Sequence, residues 1–220
     1  MPRRDYQDQL DALRQDICDL GDDVADRLAV TLACYEREDT TAASAVRDGD
    51  GEINQRYLDL ESDCIDLVAL QQPVAGDLRL VTASFKILTD IERVGDIATN
   101  LAAYAEDAPF GYAELNLVDL GLVAHEMFER AVTAYANGDV EACREIAARD
   151  EELDAMCTEV TDRVIRGLAT ASGRADIERA AEDVESVLMT VRDVERVGDH
   201  AVNVAARTLY MVENDDELLF

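Results

Sequence analysis

The chain places Glu92, Asp96 and Asn100 at i, i+4 and i+8 within DIERVGDIATN (90–100). At an offset of 103 it places Glu195, Asp199 and Asn203 in the same order within DVERVGDHAVN (193–203). Eight of the eleven positions are identical. On a helix this spacing climbs one face with a slow drift about the axis, so three oxygen-bearing side chains project together in each copy. Like charges at i, i+4 cost a few tenths of a kcal/mol, and the glycines inside the motifs, Gly95 and Gly198, cost about 1 kcal/mol each relative to alanine. A divalent or trivalent cation is the simplest thing that offsets both penalties, because it takes oxygen ligands and cancels the repulsion. The glycine then leaves room for the ion or for a neighbouring backbone.

A second reading competes with this one. Arg93 lies three residues from both Asp90 and Asp96, and Arg196 three from Asp193 and Asp199. Each motif could therefore be a solvated ion-pair ladder with a glycine at a helix crossing. Duplication of the same Gly and Asn tilts the balance toward ligands. A further acidic pair, Asp150 and Asp154, repeats the i, i+4 spacing, and the residues 100 positions earlier, Asp50 and Asn54, still carry oxygen. Other chemistries lack their parts. DGDGEIN resembles the start of a calcium loop, but the obligatory glycine position is Ile53 and the closing acid would be Asp59. His125 follows Leu122, and His200 follows Val197, so there is no Glu-x-x-His of a di-iron oxidase. His200, beside Asp199, is close enough in sequence to approach a bound ion. No glycine-rich phosphate loop, Gly-x-Ser-x-Gly or Cys/His pair occurs.

The elements that must carry these residues are helical. Only Pro2, Pro73 and Pro109 interrupt the chain. Apolar residues from Leu10 to Leu32 at spacings of three and four predict a first helix over about 5–37. A second is expected over about 41–70, kinked or broken at DGDG (48–51), and a third from Asp77, which can cap it, to about 106. DAPFGYA (107–113) ends the first half. Helices over about 115–137, 139–168 and 176–212 then repeat the plan at an offset of 100, rising to 103 before the last helix. The fold class expected is all-α, two pseudo-symmetric three-helix bundles with six long helices. They would span 1–107 and 114–214, with a linker at 108–113 and a tail at 215–220.

Composition excludes some partners. The 49 acidic residues against 20 basic ones give a net charge of −29, which repels nucleic acid and anionic headgroups, and no stretch is apolar enough for direct membrane insertion. Lys86 is the only lysine, and this acid-rich, lysine-poor usage resembles proteins from salt-loving microbes. Five cysteines in no metal or redox spacing read as buried apolar residues in a reducing compartment. The polar start MPRRDYQDQL has no signal-like apolar core, so a cytoplasmic location is expected.

The doubled ER-x-G-D (92–96 and 195–199), QPVAGDLR (72–79), the acidic stretches at Asp50 and Asp150 and the 100-residue repeat together resemble the PhoU family, over nearly the whole chain. The resemblance implies two three-helix bundles side by side and E/D-x-x-x-D motifs associated with metal ions, sometimes multinuclear clusters including iron, which would make ligands of Glu92, Asp96, Glu195, Asp199, Asp150 and Asp154; iron, manganese, magnesium or zinc is the metal expected. It implies a non-enzymatic role in damping phosphate uptake and phosphate-starvation signalling. The implied partners are the ATPase subunit of the Pst transporter and, where one exists, a sensor histidine kinase. A homodimer is expected. Two positions depart from the pattern: Asn54 stands where an acid is expected, and ASGRADIER stands where a second QPVAGDLR would. A carboxylate-bridged metalloenzyme and a PhoU-like adaptor of a different transporter remain the alternatives.

Overall fold

Leu10, Leu13, Ile17, Leu20, Val24, Leu28 and Leu32 recur every three or four residues, and all are buried. That stripe seats the first helix, α1 (Pro2–Arg37), in the core. Proline in its first turn costs nothing, since the N–H it lacks has no helical acceptor there. A computed structural model describes residues 2–37, 39–106, 115–170 and 174–219, with side chains at 2–5, 50, 106, 168–170 and 174–183 left aside. Every regular element among these residues is a helix: α2 (Thr40–Asp48), α3 (Asp50–Gln71), α4 (Gly76–Glu106), α5 (Leu117–Asn137), α6 (Val140–Thr170) and α7 (Arg174–Glu213) follow α1. The expected linker, 108–113, lies outside the described residues.

The second expected helix breaks in two. Gly49 closes α2 through its N–H to Ala45 and Val46 carbonyls, and α3 starts on its far side. Its counterpart in the second half is Arg149, which forms an i, i+3 pair with Glu152 at 2.8 Å, and α6 runs through without a break. The capping signals repeat faithfully: Asp39 accepts from the Ala42 N–H at 3.0 Å, and Asp139 from the Ala142 N–H at 3.1 Å. Asp77 does not cap α4 as expected. The helix begins one residue earlier, at Gly76, after left-handed backbone at Gln72 and Ala75 around Pro73, so Asp77 sits inside the first turn and complements the helix dipole.

α1, α2, α3 and α4 form one bundle and α5, α6 and α7 the other; α1 meets α5, and α4 meets α7. The two-fold repeat of the sequence is visible in the packing. A Cβ added to Gly21 would lie 2.8 Å from Val132, and one added to Gly121 would overlap Leu32, positions related by the offset of 100. α1 and α5 therefore cross as an antiparallel pair with each glycine receiving the other half's branched side chain. Near this crossing His125 Nε2 lies 3.1 Å from the Ala25 carbonyl. Most buried residues of both halves join in one cluster, with Cys34, Ala43, Val46, Ala102 and Ala105 forming a smaller second one, and Ser84 on α4 shares a 2.6 Å hydrogen bond with the buried Tyr135 hydroxyl on α5.

Candidate functional site

Gly198 sets the distance between α6 and α7. A Cβ there would overlap Leu153 Cδ2 and lie 3.2 Å from Asp150 Oδ1, so the glycine is what allows α6 to bring Asp150 against α7. Asp150 Oδ1 is buried and has no hydrogen-bond partner. Burial, then the charges of Asp154, Asp199 and Glu195, push its carboxyl up to about 6. Glu195 is raised by burial, Asp154 and Asp199. Asp199 is raised by burial and Asp154, with His200 and Arg196 pulling the other way. The four second-half acids thus act on one another across two helices, with Asp150 half-buried and the other three exposed. Beneath them the Cys157 thiol is pushed up to about 12, first by burial and then by the same four carboxylates, so it stays protonated and apolar in character. All five cysteines are buried and unpaired.

The first half has the same scaffold with different chemistry. Gly95 faces α3, where its Cβ would stand 3.3 Å from Ile53 Cγ2, the residue equivalent to Leu153. Glu92 and Asp96 are half-buried on α4 and Asn54 half-buried on α3, while Asn100 is exposed. The side chain of Asp50 lies outside those described. Arg93 stands 3.7 Å from Glu92 and 4.0 Å from Asp96. In place of Cys157 the first half has Tyr57, whose hydroxyl bonds Glu61 at 3.3 Å and whose phenol is raised mainly by burial, with Glu61 and Glu92 contributing.

Arginine pairing and unrelieved crowding of acids are both present in the motifs. Arginine pairing is present at Arg93, and Arg196 donates to the buried Asp193 at 2.9 Å. Mutual repulsion without arginine relief prevails at Asp150. The leading Asp of each motif, outside the Glu-x-x-x-Asp spacing, joins the two halves. Asp90 accepts from Asn203 Nδ2 at 3.2 Å and pairs with His200 Nδ1 at 2.8 Å, and Asp193 accepts from the Tyr104 hydroxyl at 3.2 Å. Asn203 thus turns its amide nitrogen to α4 and does not simply extend the Glu195–Asp199 ridge. Each copy of the motif opens with this Asp, which was the available signal, but only the antiparallel α4/α7 contact shows what it reaches.

Could these residues hold a metal? Among the described residues no group of three or more His, Cys, Asp or Glu side chains converges into a ready-made ligand cage. The donor set nonetheless suits a hard cation: carboxylate oxygens with raised pKa values, one of them buried and unpartnered. The second half fits such an ion better than the first, where Asn54 replaces an acid and Arg93 neighbours both motif carboxylates.

Comparison with known proteins agrees with this architecture. A family model described as "PhoU domain" matches residues 17–105 and again 117–208. A phosphate-specific transport system accessory protein PhoU homolog from Deinococcus radiodurans is 35% identical over 196 residues, covering 86% of this chain and 87% of that protein. One from Pseudomonas putida is 29% identical over 214 residues, covering 94% and 80%. The crystal structure of PhoU from Pseudomonas aeruginosa superposes with a TM-score of 0.86 at 27% identity, covering 96% of this chain and 100% of that one.

Proposed function

The chain belongs to the PhoU family, and from that premise we propose that it is a non-enzymatic regulator of phosphate uptake and phosphate-starvation signalling, a metal-binding adaptor on the Pst phosphate transporter. Relatives carry the name of accessory proteins of the phosphate-specific transport system, which supports the transporter as partner. Its ATPase subunit is the component we assign as the direct contact, with a sensor histidine kinase as a second client, and the working form is a cytoplasmic homodimer. No helix among the described residues is long and apolar enough to cross a membrane.

The observation that carries the metal assignment is Asp150 Oδ1, buried and unpartnered among Asp154, Asp199 and Glu195. Unpaired buried oxygens destabilise a fold unless something satisfies them. Asp150, Asp154, Glu195 and Asp199 would hold the ion, with Glu92, Asp96 and Asn54 a weaker second set. When bound, the ion supplies charge neutralisation. The chain's own part is to fix α6 against α7 at Gly198, so that neutralising the acids stiffens the face formed by those helices.

Co-purification tests the reading. Tagged wild-type protein should retain the Pst ATPase subunit in high salt with manganese present, and Glu195→Ala with Asp199→Ala should lose both the metal and most of the retained subunit. Equal retention by the double variant would sink the link between metal and partner, and no retention by wild type beside a working control would sink the adaptor role.

A further inference from the structure

Arg93 and Arg196 hold equivalent positions in the two motifs, and both line one cleft of about 620 Å³ beside α7, together with His200, Asn203, Asp150 and Asp199. The two copies of the motif thus contribute their arginines to one space. The contacts of Arg93 with Glu92 and Asp96, at 3.7 and 4.0 Å, are too long for hydrogen bonds. Arg196 engages Nη1 with Asp193. Each guanidinium carries five N–H donors, so these contacts occupy a small part of what the pair can offer. Asp90 holds both His200 and Asn203 in place.

The tail builds the remaining wall. Arg144 binds Glu213 at 2.9 Å and Glu217 at 2.7 Å, folding the chain back after Asn214. Leu218 and Leu219 then line the cleft, and Leu218 packs on the main core. Apolar walls limit water on that side and strengthen electrostatic contacts within.

A bare anion has no reason to enter. The chain carries a net charge of −29, and Asp150 and Asp199 stand in the same cleft. These two are also residues assigned above to a cation. With their charge neutralised, the remaining charged groups of the cleft are two arginine forks, whose planar donors match the oxygens of phosphate-type anions. We propose that the cleft is a cation-dependent oxyanion site that takes a small tetrahedral anion of the inorganic phosphate class and reads it through Arg93 and Arg196. The proposal rests on the metal assignment at Asp150 and Asp199.

Equilibrium dialysis of the full chain with labelled inorganic phosphate tests it, with Mn²⁺ or with EDTA, while paramagnetic resonance reads Mn²⁺ binding separately. Wild type should bind phosphate saturably with Mn²⁺ and at least tenfold more weakly with EDTA. R93Q/R196Q should keep its Mn²⁺ signal and lose phosphate at least tenfold. On unmodified protein, sulfate should displace phosphate and acetate should not, which keeps the test open if the double variant folds poorly. Bound Mn²⁺ without phosphate, undiminished phosphate in R93Q/R196Q, or displacement by acetate as readily as by sulfate would each overturn the oxyanion site and leave the metal reading standing. Absence of Mn²⁺ binding would overturn both.

Discussion

Asp150 concentrates the electrostatic cost of the second-half site. Its carboxyl is raised from 3.8 to about 6, which means that the folded chain binds this proton more tightly than the unfolded chain does. A carboxyl raised in this way stabilises the fold fully below its unfolded pKa, and the contribution is lost as pH rises through the folded value. The stabilising window is therefore acidic, and above about pH 6 the charged, unpartnered oxygen works against folding. Solvent screening of so open a site reduces the effect to about 1 kcal/mol. Asp150→Asn should accordingly melt at a higher temperature than wild type near neutral pH in metal-free buffer, by a few degrees, with the gap closing toward pH 4. Thermal melts of both proteins over that range check it, and a gap independent of pH would show that the charge is not the cause.

At the scale of helices, the two motif glycines look equivalent in sequence and differ in space. Gly198 sits where a methyl group would overlap buried Leu153, whereas at Gly95 the nearest atom is Ile53 Cγ2 at 3.3 Å. Alanine gains about 1 kcal/mol of helix propensity at either position, and overpacking a tight contact costs about 1–3 kcal/mol. Gly95→Ala should therefore be close to neutral or slightly stabilising, and Gly198→Ala destabilising by about 1–2 kcal/mol. Urea unfolding curves would show this as a lowered midpoint for Gly198→Ala and an unchanged or slightly raised one for Gly95→Ala; equal shifts would mean that α6/α7 packing is looser than the Leu153 contact implies. The two halves differ likewise at α2/α3 and α6: the chain breaks at Gly49, whereas Arg149 lies inside one continuous helix.

For the molecule as a whole, the pseudo-two-fold packing of α1 on α5 and α4 on α7 joins two bundles through one core, while the surface carries the charge of −29. Screening shortens the reach of that repulsion from about 10 Å at 0.1 M salt to about 3 Å at 1 M. The melting temperature should rise with KCl from about 0.1 M upward and level off near 1 M, where little range is left to screen. Calorimetry in a KCl series measures this, and a flat or falling curve would count against self-repulsion as a limit on stability.

Much of this was legible in the residues. Helical periodicity determined the helices to within a few residues, because apolar spacing and Gly, Pro and Asp signals are local. The duplicated Glu-x-x-x-Asp spacing named the two acidic ridges for the same reason. What neighbours a ridge is not local. Only the tertiary structure decided that Asp150 would be caught between Asp154, Asp199 and Glu195, that Asp90 would reach across to His200 and Asn203, and that both motif arginines would open on one cleft. Those outcomes follow from how α6 meets α7 at Gly198 and how α4 packs antiparallel to α7, relations between distant segments about which spacing along a single helix carries no information.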